Sequence, residues 1–372
     1  MIKDYINRER LTETFIELIK INSPSFEEGE IGSVLSKKLA SLGCRIEIQK
    51  YDRSFNLIAY KKGNNQMAPP ILLSGHMDTI EPTTGISFSI ENDVIRTTGN
   101  TVLGADDKSA LAQIIEALTV IEEKKIPHGD IEIVFSSAEE KGLVGAKYLD
   151  FSRLRSKFAL VLDSGGSVGR LVTAAPTHVT YEMHITGRSA HAGIEPEKVI
   201  SAIRVASRII SEVPDGRIDP ETTANIGIIR GGTATNVVPK EVIINGELRS
   251  HNTGVLEENK KRIFDTARMI AEKAGASINI SEQEEYNAFR IERDQPFMNF
   301  LDSVFRKSGL TPDYTITGGG SDANIFNHNG IKAVNISTGM QNVHSTDEFI
   351  HINDLYNGCL VVLNAIMDFK HV

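Results

Sequence analysis

Cysteine is scarce in this sequence of 372 residues, in which Cys44 and Cys359 are the only two. Two cysteines cannot build a disulfide framework, and these two do not form the CxxC pair of a metal or redox motif. Any metal ion that the protein binds must therefore be held by histidine, aspartate and glutamate side chains.

A long apolar segment is also missing. The N-terminal stretch MIKDYINRERLTETF is charged from its start, unlike a signal peptide. No later segment approaches the ~18 uninterrupted apolar residues of a membrane-spanning helix. We therefore expect a cytoplasmic protein that does not enter a membrane.

Positive charge is in deficit, with 40 Lys and Arg against 49 Asp and Glu and a net charge of -9. Nucleic acids and anionic membrane surfaces are bound largely through clustered Lys and Arg. The balance of charge therefore argues against both as partners, and small molecules or peptides fit better.

The order of apolar patterns along the chain predicts two kinds of domain. Helical and strand patterns alternate in the first half, which favours an α/β sheet flanked by helices. A later segment follows the βαββαβ order of a ferredoxin-like domain, with helices predicted over Glu197–Val213 and Gly254–Ala274. We predict one α/β domain with a mixed, largely parallel sheet, formed by residues 1–175 and 291–372 and interrupted by a ferredoxin-like domain at 176–290.

Ionisable side chains stand where several of these elements begin or end. His76 follows the strand ILLSG, with Asp78 two residues later, and Asp163 ends the strand FALVL. Acidic pairs occur in GADDKSA (Asp106 and Asp107) and in SSAEEKG (Glu139 and Glu140). Each feature has an ordinary explanation, because aspartate is a favoured helix N-cap and acidic residues suit the first turn of a helix. A single histidine at a strand end is, in the same way, more often a structural or surface residue.

The shared position of these residues carries more weight than any one of them. Ligands of open α/β sheets bind outside the carboxyl ends of the strands, so these side chains should converge there. Converging carboxylates repel one another unless protons or a cation neutralise them. Carboxylates with histidine suit Zn²⁺, with Mn²⁺ or Co²⁺ as alternatives, and so many ligands favour two ions that share a carboxylate. His344, in QNVHSTDEF, is the best placed further ligand.

Five segments in this order resemble the signature segments of the co-catalytic di-zinc exopeptidases and deacylases: SGHMDTI, GADDKSA, SSAEEKGLVGAK, VLDSGG and VHSTDEF. That family includes aminoacylase, acetylornithine deacetylase, succinyl-diaminopimelate desuccinylase, glutamate carboxypeptidase and peptidase T. The resemblance spans essentially the whole chain, and the stretch TTGNTVLGADDKSALA is most similar to the peptidase T-like members.

The resemblance implies a ligand set for two Zn²⁺ ions in each subunit, with Co²⁺ or Mn²⁺ as alternatives. Asp106 would bridge the two ions. His76 and Asp163 would complete one site, and Glu140 and His344 would complete the other.

The same resemblance implies catalytic roles. Glu139 would be the general base, which takes a proton from water to form a metal-bridging hydroxide and passes it to the departing amine. Asp78 would be the partner of His76, and the bond between Asp106 and Asp107 would be a cis peptide.

The inserted domain also carries segments that resemble the family and that imply a lid and dimerisation role. His191, in GRSAHAG, would reach the active site of a second subunit, which implies a homodimer. Asn236, in GGTATNVVPK, and Arg249, in GELRSHN, would lie near substrate, although both are also compatible with plain loop and strand residues.

The expected activity is hydrolysis of a peptide bond in small peptides, most like that of an aminotripeptidase. The alternative within the family is an N-acyl amino acid deacylase or a carboxypeptidase, whose chemistry is the same. A non-catalytic binding protein on this scaffold would lack Glu139 or a ligand, and none is missing. The remaining glycine-rich stretch, Gly318–Asn324 (GGGSDAN), predicts a tight turn before a helix whose backbone N–H groups could receive a substrate carboxylate.

Overall fold

The computed structural model describes residues 2–65, 67–194 and 196–370. These residues form two compact units. The first unit comprises the chain up to Thr173, Arg290–Ile316, and the chain from Ser321 onward, and the second unit comprises Ala174–Phe289 and Thr317–Gly320. No helix within the described ranges combines the length and the hydropathy needed to cross a membrane.

The α-helices, in chain order, are α1 Arg8–Ile19, α2 Gly29–Ser41, α3 Ala105–Lys124, α4 Val144–Lys147, α5 Ala202–Glu212, α6 Thr253–Lys273, α7 Pro296–Lys307, α8 Asp322–His328 and α9 Ile352–Asp368. The strands are β1 Arg45–Tyr51, β2 Ser54–Lys61, β3 Ile71–His76, β4 Phe88–Glu91, β5 Val94–Thr97, β6 Ile131–Ser136, β7 Phe158–Ser164, β8 Arg170–Ala175, β9 Thr177–Thr186, β10 Gly216–Asp219, β11 Thr222–Gly231, β12 Glu241–Ser250, β13 Ser277–Tyr286, β14 Phe289–Arg290, β15 Asp313–Ile316, β16 Lys332–Ser337, β17 Met340–Gln341 and β18 Phe349–His351.

The main sheet is mixed, with the strand order β1-β2-β6-β3-β7-β16-β8-β14 and β15 paired to β8. Its central strands β6, β3, β7 and β16 are parallel, whereas β1, β2 and β8 join by antiparallel pairs. Every residue of β3 and β6 is buried, as expected for parallel strands covered on both faces. The predicted fold class is confirmed, and His76 lies opposite Ser136 where β3 and β6 end together.

Helix α3 lies at the centre of the first unit. Its sequence is rich in the helix formers Ala, Leu and Glu, and it is buried almost throughout from Ala105 to Ile121. The helix packs against β3 and against helices α1 and α9. Because contacts on several sides hold α3, its first residues are fixed relative to the end of β3.

A small antiparallel sheet with the order β17-β18-β5-β4 was not anticipated from the sequence. Its strands have two to four residues, too few for an alternating pattern to be recognised. The sheet matters for function because the connection from β17 to β18 contains His344 and Glu348.

The second unit is built on an antiparallel sheet with the order β10-β11-β12-β9-β13. Helices α5 and α6 pack on this sheet and form a core with it, which includes Met183, Ile209, Ile244 and Ile263. The order of elements is the predicted βαββαβ, with the short strand β10 added before β11.

Helix α5 begins later than the sequence pattern predicts. The pattern predicts a helix from Glu197, but Pro196–Lys198 forms a separate 3-10 turn and α5 starts at Ala202. The cause is local, because Ser201 is extended and its side chain accepts a hydrogen bond from the backbone N–H of Arg204, which makes it the N-cap.

Candidate metal centre

The first turn of α3 places two aspartates beside the end of β3. Asp106 and Asp107 have non-helical backbone angles, and the peptide bond between them is cis, as the resemblance implies. Oδ2 of Asp107 accepts a hydrogen bond from the backbone N–H of His76 at 3.1 Å. The described contacts of the two carboxylates are with His76 and His344 rather than with backbone N–H groups of α3, which argues against the alternative explanation of this pair as helix caps.

Gly75 allows this close approach. A Cβ atom at residue 75 would lie 2.7 Å from Oδ2 of Asp107, a separation that real Cβ atoms essentially never show. A residue with a side chain in place of Gly75 would therefore push Asp107 away from the backbone of His76.

The carboxylate of Asp106 faces two different groups of side chains. Its Oδ1 lies 3.0 Å from Nε2 of His76, which is itself 3.7 Å from Oδ1 of Asp163. Its Oδ2 lies 3.2 Å from Nε2 of His344, which is 3.0 Å from Oε1 of Glu140. The structure thus brings all five predicted ligands together, and the two oxygens of Asp106 point to separate sets.

The segment SSAEEKG forms one 3-10 turn, Glu139–Lys141, rather than the start of a longer helix. Ala138 before the turn and Leu143 after it have positive φ angles of 48° and 61°. These bends turn the chain sharply between β6 and α4. Adjacent residues of the turn diverge, so that Glu140 reaches His344 while Glu139 points elsewhere in the cluster.

Asp78 holds this turn in place. The side chain is fully buried, with 0% exposure. Its Oδ1 accepts from the backbone N–H of Glu139 at 2.9 Å, and its Oδ2 accepts from the backbone N–H of Glu140 at 3.2 Å and from Oγ of Ser25 at 2.7 Å. The shortest contact of Nδ1 of His76 is with the Asp78 backbone carbonyl at 2.8 Å, and the Asp78 carboxylate lies at 3.5 Å.

Two members of the cluster favour each other's charged forms. The hydrogen bond to Asp106, with a further one to Glu140, raises the pKa of His344 to about 10. Burial alone would raise the pKa of Asp106, but hydrogen bonds with His344 and His76 outweigh burial and lower that pKa. Asp106 is therefore ionised over the whole physiological range.

Two other carboxyl groups of the cluster, those of Asp163 and Glu139, are destabilised as anions. Burial raises the pKa of Asp163 to about 7. Burial, followed by repulsion from Asp163, raises the pKa of Glu139 well above its usual range. A cation among these groups would relieve the repulsion, because it replaces unfavourable anion pairs with favourable contacts.

The donor atoms suit such cations. Ligand atoms around a tetrahedral ion with bonds of ~2.0–2.2 Å lie roughly 3.3 Å apart, and the four imidazole–carboxylate distances run from 3.0 to 3.7 Å. Among the described residues, two groups have ligand atoms that all lie within 4.8 Å of one another: His76, Asp106 and Glu140, and His76, Asp107 and Asp163. They divide the ligands differently from the two sets around Asp106, because both contain His76 and neither contains His344. Asp107 is the one member that the sequence analysis did not propose as a ligand.

Three buried polar residues around the site were missed from the sequence. Asn335 holds the backbone of Asp163 through two hydrogen bonds, of 2.9 and 3.0 Å. Asp322 accepts a hydrogen bond from Ser136 at the end of β6, and Glu348 accepts from the backbone before and at Asp106. The available signals were a polar residue inside the apolar strand KAVNIS, a carboxylate in the glycine-rich stretch GGGSDAN, and a carboxylate inside the recognised segment VHSTDEF.

The predicted substrate residues lie in the second unit. The loops of His191 and Asn236 adjoin, since His191 forms a β-bridge with Val237 and the Asn236 carbonyl accepts from the backbone N–H of Ala192 at 3.0 Å. Both residues are exposed. Arg249 is half-buried and donates from two nitrogens to Glu247, at 3.1 Å in each case.

The glycine-rich stretch at 318–324 behaves as predicted. It turns into α8, where Ser321 is the N-cap and forms a capping box with Asn324. Whether the N–H groups there receive a substrate carboxylate stays a prediction.

The fold and this cluster define a class of protein, a hydrolase whose α/β sheet carries a site suited to divalent metal ions. Peptidase family M20/M25/M40 matches residues 72–368, and the chain belongs to this family.

Several proteins that resemble the chain along nearly its whole length are described as peptidases. The crystal structure of aminopeptidase PepT from Bacillus cereus ATCC 10987 is 38% identical, with a TM-score of 0.91 and coverage of 99% of this chain and 100% of its own. A tripeptidase from Staphylococcus aureus subsp. aureus Mu50 is 34% identical, with a TM-score of 0.94 and coverage of 98% and 99%. Peptidase T from Clostridium perfringens strain SM101 is 26% identical over 404 residues, which cover 96% of this chain and 98% of that protein. The chain is a peptidase T-like member of the family.

Proposed function

We propose that this protein is a di-zinc aminotripeptidase that removes the N-terminal residue from small peptides. The observation that carries the proposal is the placement of Asp106, whose two oxygens face separate histidine–carboxylate pairs at 3.0 and 3.2 Å. A carboxylate that contacts two ligand sets in this way is what a two-metal site requires. The substrate class follows the similarity to proteins described as an aminopeptidase and as a tripeptidase.

His76 and Asp163 would hold one Zn²⁺ ion and Glu140 and His344 the other, with Asp106 shared between them. Co²⁺ or Mn²⁺ would fit the same nitrogen and oxygen donors. When bound, such ions would supply Lewis acidity to the scissile carbonyl and to a water molecule.

Glu139 would move the proton. It is the carboxylate of the turn that is not engaged with a histidine, and burial with repulsion from Asp163 raises its pKa well above the usual range. A raised pKa makes a carboxylate a better proton acceptor near neutral pH. Glu139 would take a proton from the attacking water and then give it to the nitrogen of the departing amine, while Asp78 keeps the turn in position.

The second unit would supply substrate-binding residues. We propose that residues 1–175 and 291–372 form the catalytic domain and that 176–290 form a lid and dimerisation domain. Asn236 and Arg249 would contact the peptide. His191 would act on the reaction in the other subunit of a cytoplasmic homodimer, where an imidazole donor could stabilise the oxyanion.

A substrate panel with metal analysis tests the proposal. The purified protein would be assayed on tripeptides, on dipeptides, on the same tripeptides with an acetylated N-terminus, and on N-acyl amino acids. Release of the N-terminal residue from free tripeptides, with two metal ions per chain and no turnover of the acetylated peptides, is the expected result. Turnover of N-acyl amino acids, or release of C-terminal residues, would instead establish the deacylase or carboxypeptidase activity.

A further inference from the structure

Glu348 lies beside the candidate metal centre without a role in the ligand set. It is four residues after His344, in the connection from β17 to β18, and its side chain is 1% exposed. A carboxylate at such depth is costly unless its oxygens accept hydrogen bonds. The partners that satisfy Glu348 therefore indicate what it does.

Both carboxylate oxygens of Glu348 are used by the segment that leads into α3. Oε2 accepts from the backbone N–H of Gly104 at 2.8 Å, and Oε1 accepts from the backbone N–H of Asp106 at 3.0 Å. The side chain thus clamps the chain on either side of Ala105. Glu348 also belongs to neither group of described residues whose ligand atoms lie close enough together to hold a metal ion.

The backbone of Glu348 is itself fixed. Its N–H donates to the Ser345 carbonyl at 3.3 Å, and its carbonyl accepts from the N–H of Thr97, at the end of β5, at 3.4 Å. The clamp therefore joins the loop that carries His344 to the start of α3, which carries Asp106. Those residues lie 3.2 Å apart, between Nε2 and Oδ2, in the half of the cluster that also contains Glu140.

We propose that Glu348 is a positioning residue that sets the orientation of the Asp106 carboxylate so that it can bridge two metal ions. A bridging carboxylate must present each oxygen to a different ion. If the backbone rotated at the Asp106 N–H, both carboxylate oxygens would turn away from the two sets of ligands. This role rests on the proposed two-metal function. Partners that orient ligands in this way typically change metal affinity by about 10–100-fold when they are replaced.

The chain offers a matched control in Glu132. It is also a buried carboxylate, with 0% exposure, and it also clamps backbone N–H groups, those of Arg155 at 3.0 Å and Ser156 at 2.8 Å. It lies on β6 away from the end at Ser136, and the loop that it holds carries no predicted ligand. Replacing either glutamate with glutamine removes a buried negative charge. Glu348→Gln also takes the acceptor from one of its two N–H groups, whereas Glu132→Gln can keep both bonds through an oxygen in the Oε2 position.

Metal binding separates positioning from mere stability. Metal-free wild type, Glu348→Gln, Glu348→Asp and Glu132→Gln would be titrated with Co²⁺ and followed by visible absorption and calorimetry, well below the melting temperature of each. We expect two ions per chain in wild type and in Glu132→Gln, with equal affinities. Glu348→Gln should bind at least one of the ions 10–100-fold more weakly. Glu348→Asp keeps the charge but is too short to reach both N–H groups, so it should lose affinity as well.

The remaining outcomes would overturn the proposal in distinguishable ways. Wild-type affinity in Glu348→Gln, or an equal loss in Glu132→Gln, would leave Glu348 with a structural role only. Full affinity in Glu348→Asp together with loss in Glu348→Gln would show that charge matters and position does not. Fewer than two ions in wild type would overturn the two-metal function, and the role of Glu348 with it.

Discussion

Replacing Asp78 by asparagine tests how the catalytic turn is held. The Asp78 carboxylate receives three hydrogen bonds: from the N–H of Glu139 on Oδ1, and from the N–H of Glu140 and the hydroxyl of Ser25 on Oδ2. Asparagine is nearly the same size but has one oxygen and one NH₂ group. The substitution therefore changes the hydrogen bonds and the charge while leaving the packing almost intact.

The magnitude follows from those contacts. With the amide oxygen in the Oδ2 position, the N–H of Glu139 faces an NH₂ group, and with the opposite orientation the N–H of Glu140 does. The Ser25 hydroxyl can rotate to suit either. One buried backbone N–H loses its acceptor, which costs about 1–3 kcal/mol, and the remaining bond weakens by about 1 kcal/mol because its acceptor is no longer charged. We expect the free energy of unfolding to fall by about 2–4 kcal/mol.

Urea denaturation of the metal-free protein would measure this loss, and turnover of a tripeptide by the Zn²⁺-loaded protein would measure its effect on the site. Because the turn carries Glu139 and Glu140, kcat should fall roughly 10–100-fold. Ser25→Ala is the control, since it removes one hydrogen bond to the same carboxylate without touching the turn. It should cost about 1.5–3 kcal/mol, because the acceptor is charged, and should keep kcat within a few-fold of wild type. Unchanged stability in Asp78→Asn, or an equal loss of kcat in Ser25→Ala, would refute the reasoning.

Three further predictions concern the base, a buried carboxyl group and the metal ions. Glu139→Gln should retain both ions by elemental analysis and lose about 10²–10⁴-fold in kcat, and full turnover would exclude its role as base. Burial raises the pKa of Asp322 to about 6, from 3.8, so the folded state retains a proton that the unfolded state has released between these values. Stability of the metal-free protein should therefore fall as pH rises from about 4 to 6, by up to about 3 kcal/mol, and Asp322→Asn should lack this part of the slope in denaturation series across that range. If the free metal concentration is first held at 100 times the dissociation constant, removing the metal with a chelator should lower the free energy of unfolding by about 2.7 kcal/mol per independent site. An unchanged melting temperature in calorimetry would count against a metal centre.

The sequence was sufficient for the fold class and for the gathering of the five predicted ligands. Strands such as ILLSG and FALVL are continuous apolar runs, and polar residues at the carboxyl ends of parallel strands must meet at one edge. It was not sufficient for the short sheet that supports His344, because strands of two to four residues show no usable period. The late start of α5 was missed for another reason. The apolar pattern is helical from Glu197, but the side chain of Ser201 caps the helix four residues later.

The sequence by itself determined which side chains are available, that no cysteine takes part in the recognised segments, and that His76, Asp106 and Asp163 follow or precede buried elements. Only the tertiary structure decided the orientation of those groups. The two directions of the Asp106 carboxylate, the hold of Asp78 on the backbone of Glu139, and the clamp from Glu348 to Gly104 all join residues far apart in the chain. A pattern within one segment reports local preference, whereas hydrogen bonds between distant segments depend on the packing of the whole unit, which no local pattern contains.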